Sequence, residues 1–156
     1  MSKAKSKTGM YAAIAIIVII IVVIGVVVAL MYKPGGTGTP LTMYAGEVST
    51  AAYGFGNSAN SIATAPNAPT LTLKEGTSYT MTVTNSGTMP HAWEITRDKT
   101  TSTVLWGAQI DPTSYISPGA SGSVTFTPTE TGTFYYICPV PGHVALGMWG
   151  TVTVTP

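Results

Sequence analysis

The chain has 156 residues, room for one domain and an appendage, and only 8% of them are charged: seven Lys and Arg against six Asp and Glu, a net of +1. No cluster of basic side chains exists beyond the N-terminal lysines to neutralise a run of phosphates, which excludes nucleic acid as a partner. A single cysteine excludes an internal disulfide.

The first element is apolar. Lys3, Lys5 and Lys7 lead into Ala12–Met31, a run without a charged, amide or hydroxyl side chain. A helix of roughly 20 such residues crosses a bilayer, where the backbone must satisfy its own hydrogen bonds. The sequence predicts a basic cytoplasmic segment over 1–11 and a transmembrane signal anchor over 12–32. The lysines before the span place the N-terminus inside and the rest on the extracellular or periplasmic face of the cell membrane, with one pass through the lipid bilayer. A cleaved signal peptide is the alternative, but its apolar region is shorter, about 7–15 residues, and needs a small-x-small cleavage site. The segment Val-Ala-Leu-Met-Tyr-Lys offers no such site. Residues 33–40, Lys-Pro-Gly-Gly-Thr-Gly-Thr-Pro, read as a short flexible linker. Beyond the span, residues 34–156 carry three basic against six acidic side chains, a net of −3.

Residues 41–156 form the remaining domain. Apolar and polar residues alternate there at period two between Gly, Pro and Asn turns, which predicts strands over Thr70–Lys74, Tyr79–Thr84, Ala92–Arg97, Ser123–Thr127, Thr133–Cys138 and Gly150–Thr155. Glu75-Gly76 and Asn85-Ser86-Gly87 are turn sequences. Residues 45–68, rich in Gly, Ala, Ser and Asn, allow an edge strand and a loop over the sandwich but fix no register. The class expected is all-β, a single Greek-key β-sandwich.

The chemistry sits in one stretch, Cys138-Pro-Val-Pro-Gly-His143-Val-Ala-Leu-Gly-Met148. Thiolate, imidazole and thioether together suit copper cycling between Cu(I) and Cu(II). The other histidine, His91, completes a Cys-plus-two-His set with a weak axial Met, the donor set of a blue electron-transfer centre. Taken singly, Cys138 is a small buried hydrophobe and Met148 is core filler; the shared spacing makes the case. Pro139 and Pro141 stiffen the loop by fixing φ, and Gly142 and Gly147 allow sharp turns just before His143 and Met148. A lone thiol outside the cell is an oxidation liability, which ligation removes.

The spacing Cys-x4-His-x4-Met, set in Gly132–Gly150, resembles the copper loop of the rusticyanin and sulfocyanin group of cupredoxins, and Pro90-His91-Ala-Trp-Glu-Ile-Thr96 is similar to that group's first-histidine segment. The resemblance implies a cupredoxin domain over 41–156 with one mononuclear type 1 copper on His91, Cys138, His143 and Met148. It implies an electron carrier, not an enzyme, serving redox proteins of a membrane respiratory chain such as cytochromes or a terminal oxidase. Its N-terminal anchor also resembles sulfocyanins. One departure is Ala92, where many cupredoxins carry Asn and rusticyanin Ser; the side-chain tie between the ligand segments is missing, and the backbone N–H groups of Ala92 and Val140 are left to reach the sulfur. With an apolar shell and a weak axial thioether, a high reduction potential is expected.

Electrons are expected to pass through a surface ring edge of His143, within an apolar patch of Pro139, Pro141, Val144, Ala145 and Leu146. Few charges nearby predict weak electrostatic steering of partners. The rival readings are a copper chaperone or store, a multicopper enzyme and a structural zinc site. The enzyme needs further histidine-rich centres, and zinc prefers four firm ligands to a thioether.

Overall fold

The computed structural model describes residues 38–100 and 103–156. The predicted basic segment and membrane helix, and the linker as far as residue 37, lie outside the described residues. Among the described residues no helix is long and apolar enough to cross a membrane.

Nine strands are found among the described residues: β1 (Thr39–Ser49), β2 (Ala52–Gly56), β3 (Leu71–Lys74), β4 (Tyr79–Asn85), β5 (Trp93–Thr96), β6 (Val104–Ile110), β7 (Ser121–Phe126), β8 (Gly132–Ile137) and β9 (Trp149–Thr155). They form two sheets, ordered β2-β1-β4-β7 and β3-β9-β8-β5-β6. The β1–β4 and β3–β9 pairs are parallel, and the other pairs are antiparallel. Met43, Met81, Val83 and Phe126 from the first sheet and Trp93, Ile95, Phe134, Tyr136 and Val152 from the second share one apolar core. The fold is an all-β sandwich of two sheets.

Period two explains the central strands. In β4, Tyr79, Met81 and Val83 turn inward, and each such burial is worth about 1.5–3 kcal/mol. Thr80, Thr82 and Thr84 turn outward and meet the hydroxyls of Thr125, Ser123 and Ser121 on β7 at 2.9, 3.1 and 2.8 Å. Side-chain pairs of this kind fix register along a solvated face. The six strands expected from alternation all occur, with ends displaced by no more than two residues.

Three elements differ from expectation. β1 starts at Thr39, so the last two residues of the expected linker are strand, paired in parallel with Tyr79 and Thr80. β2 carries Gly54 and Gly56 because residues 61–64 lie directly on it; a Cβ at either position would run into the carbonyls of Ala63 and Ser61. Glycines required by close approach erase the apolar alternation that would reveal a strand. In β6, Trp106 and Gly107 both have positive φ, 55° and 68°. That break in the pleat disrupts period two and hides the strand.

All four residues of β5 are buried, including Glu94 at 1% exposure. Its Oε2 accepts a 2.9 Å hydrogen bond from Gln109, while Oε1 has no partner. Burial raises the Glu94 pKa above the ordinary carboxylate value, with the Gln109 bond opposing. The folded state therefore holds this proton where the unfolded chain has lost it, and stability falls as pH climbs from about 4.5 through the raised value. Glu94→Gln is expected to be more stable than wild type at pH 7, with the gain vanishing in acid; urea melts at both pH values test this.

Candidate metal centre

Three elements bring the donors together. β5 is preceded by Pro90 and His91, and His91 exchanges backbone hydrogen bonds with Ile116, 3.2 Å from its N–H and 2.6 Å to its carbonyl. Cys138 follows directly on β8. The loop from Cys138 to Met148 then folds onto itself: His143 N–H donates to Val140 O at 3.1 Å, Met148 N–H to His143 O at 3.0 Å and Cys138 N–H to Met148 O at 3.1 Å. Gly142 and Gly147 have φ of 86° and 89°, the left-handed turns expected just ahead of His143 and Met148.

His91 Nδ1 lies 3.3 Å from His143 Nδ1, and Cys138 Sγ lies 3.5 Å from the same atom. The three donor atoms all fall within 4.8 Å of one another, and all three residues are buried. Met148 is fully buried in the adjoining core. Ala92 N–H donates to Cys138 Sγ at 3.4 Å, the backbone contact that the sequence left to this residue.

Burial shapes the electrostatics. It raises the Cys138 pKa to about 11, against the lowering effect of the Ala92 and Val140 N–H groups, with Glu94 adding to the rise. Burial, helped by the neighbouring His143, brings the His91 pKa down to about 4, while Glu47 opposes. His143 is lowered by burial, again against Glu47. Without a cation the centre is therefore a thiol and two neutral imidazoles. A cation that displaces the thiol proton gains an anionic sulfur and two lone pairs in a site shielded from water. Soft sulfur with two imidazoles suits copper, and the residues present fit it.

Of the four donor residues His143 alone keeps any exposure, 6% against 0% for His91, Cys138 and Met148, and Tyr53 of β2 packs on its ring, centroids 4.3 Å apart and planes at 31°. Beside it solvent meets Leu146 on the loop, at 38% exposure, and Met89 near His91, at 45%.

Tyr53 and Glu47 lie against the two histidines and Asn85 braces the backbone that carries His91; sequence reasoning missed all three. Glu47 and Tyr53 fall in the stretch whose register could not be read. Asn85 was visible only as a turn residue, yet its side chain is fully buried. It donates 2.8 Å bonds to Met89 O and Ile116 O and accepts from Gly87 N–H at 2.9 Å.

Residues 56–155 match the family described as copper binding proteins, plastocyanin/azurin family. Auracyanin-B of Chloroflexus aurantiacus is 54% identical over 44 residues, 28% of this chain and 19% of that protein. A rusticyanin of Acidithiobacillus ferrooxidans is 37% identical over 97 residues, 55% of this chain and 50% of that protein. The chain thus spans no more than half the length of these curated relatives. Among solved structures, a reduced auracyanin from Roseiflexus castenholzii superposes with a TM-score of 0.55 at 24% identity, over 78% of this chain and 100% of that one.

Proposed function

The chain belongs to the copper-binding proteins of the plastocyanin/azurin family, and from that premise we propose that it is a one-electron carrier whose type 1 copper is held by His91, Cys138 and His143, with Met148 as the axial ligand. The observation that carries this reading is the convergence of one thiol and two imidazoles, all buried, within 4.8 Å of one another. Bound copper supplies a single exchangeable electron. The chain's own residues do the rest: the Ala92 N–H orients the sulfur, and the loop's backbone bonds hold the ligands so that little must rearrange between oxidation states.

Exposed Pro141, Ala145, Leu146 and Met89 give the loop end an apolar surface. Such a surface suits the small, short-lived interfaces of redox partners. Residues 12–32 serve as the membrane anchor in this reading, residues 41–156 as the copper domain, and components of a respiratory chain as donor and acceptor. The chain's two histidines both stand at this centre, so it holds no imidazoles for a second, substrate-reducing copper.

The alternative is a copper chaperone or store. The copper-loaded protein is expected to show an intense sulfur-to-copper charge-transfer colour that bleaches with reductant and returns over repeated cycles, with the metal retained against a mild chelator. A colourless protein, or copper stripped within minutes, would favour the alternative.

A further inference from the structure

β1 and β2 place Glu47 directly opposite Tyr53 in their register, and each of these residues touches a different histidine. Glu47 Oε1 lies 4.0 Å from His91 Nε2, a buried nitrogen with no hydrogen-bond partner. The same carboxylate accepts from Thr88 N–H at 3.0 Å and Met89 N–H at 2.7 Å, tying down the turn that leads into His91. Tyr53 packs its ring on His143 at 4.3 Å and stands edge-on to His91 at 5.9 Å. Its N–H also donates to Leu146 O at 3.2 Å, so the hairpin holds the copper loop as well.

An imidazole ligand is free to swing about its side-chain bonds unless its other nitrogen is engaged or its face is packed. His91 turns Nδ1 toward the sulfur and His143, which leaves Nε2 aimed at the carboxylate. His143 has Tyr53 against its face.

We propose that the Glu47–Tyr53 cross-strand pair is a clamp that positions the two imidazoles, one through a carboxylate facing the free ring nitrogen and the other through ring packing. The two arms act differently. The Glu47 charge favours the more highly charged oxidised ion over the reduced one, whereas Tyr53 buttresses both states alike. This inference rests on His91 and His143 being ligands.

The test compares full-length wild type with Glu47→Gln, Tyr53→Phe and Tyr53→Leu, measuring Cu(II) and Cu(I) affinities, the midpoint potential and the imidazole ¹⁵N spectrum of the metal-free protein. Loss of an outer-shell partner typically costs about 10–100-fold in metal affinity. Glu47→Gln keeps an oxygen to accept from Thr88 and Met89, so its turn survives. It is expected to lose Cu(II) affinity about tenfold more than Cu(I) affinity, which reads as a rise of about 59 mV in potential. The metal-free variant is expected to lose the single Nε2-protonated tautomer of His91. Tyr53→Leu is expected to weaken both oxidation states equally and leave the potential unmoved, with Tyr53→Phe like wild type. If Glu47 only caps the turn, Glu47→Gln keeps the wild-type potential and tautomer, and the proposal is overturned, as it is if Tyr53→Leu leaves both affinities unchanged. A His91→Ala protein that keeps the wild-type charge-transfer band would instead remove the ligand assignment, and this inference with it.

Discussion

Cys138→Ser is expected to lose the charge-transfer colour completely and to bind copper orders of magnitude more weakly, while remaining folded. Cys138 is the one donor of the three that a bound cation can convert to an anion, and its donor atom lies within 4.8 Å of those of both imidazoles. A serine hydroxyl does not ionise under these conditions, so two neutral rings and a thioether would be left to hold the ion. The fold has less at stake. The hydroxyl can still accept the Ala92 N–H that now reaches the sulfur at 3.4 Å, which keeps the cost of burying it to about 1–2 kcal/mol. A second signature separates loss of the thiolate from general damage. The wild-type thiol, with its pKa raised to about 11, is protonated throughout the neutral range. Each copper bound must expel that proton, and apparent affinity should rise about tenfold per pH unit. His91, with its pKa lowered to about 4, stays neutral there and adds no slope. In Cys138→Ser the slope should vanish. Chelator competition at several pH values, beside visible spectra of both proteins, measures this; a serine variant that keeps the colour or the slope would contradict Cys138 as the sulfur ligand.

The copper loop was legible because its chemistry is local: three donor types at equal spacing, with proline and glycine at positions where φ must be fixed or positive. β4, β8 and β9 were legible because each buries one face and wets the other. What surrounds the loop was not legible, and the reasons are physical. Tyr53 and Glu47 belong to a hairpin whose glycines at 54 and 56 answer to the backbone of residues 61–64, a contact that leaves no period in the sequence. β6 turns through two left-handed residues. The Tyr53 cover over His143 was hidden for the same reason as the hairpin: Tyr53 is 90 positions away along the chain and only the folded register brings it near. Asn85 in Asn-Ser-Gly has the composition of any turn, and nothing local distinguishes an amide that points into the core.

Asn85→Ala is expected to combine a large stability loss with a damaged copper site. The buried amide makes three hydrogen bonds, to Met89 O, Ile116 O and Gly87 N–H, the one to Ile116 fully buried. Cutting all three together removes about 2–4 kcal/mol, or lowers the melting point by on the order of 10 °C. The damage reaches the metal through the backbone. Ile116 O receives both the Asn85 amide and the His91 N–H at 3.2 Å, so the amide steadies the strand bridge that carries the first histidine. Met89, the other carbonyl it holds, lies in the turn between Glu47 and His91. Copper affinity should fall with stability, yet the colour should persist because Cys138 and its loop are closed independently through Met148. Asn85→Asp sharpens the test. It keeps the shape but turns an acceptor toward two carbonyls, so a proton is retained in the folded state well above the ordinary carboxylate pKa of about 3.9. Its stability should therefore fall as pH rises from that value, leaving it no better than the alanine variant at pH 7 and close to wild type in acid. Denaturant melts of the metal-free proteins at pH 4 and 7 give the comparison, and an alanine variant within 1 kcal/mol of wild type would mean that the turn is held by Glu47 alone.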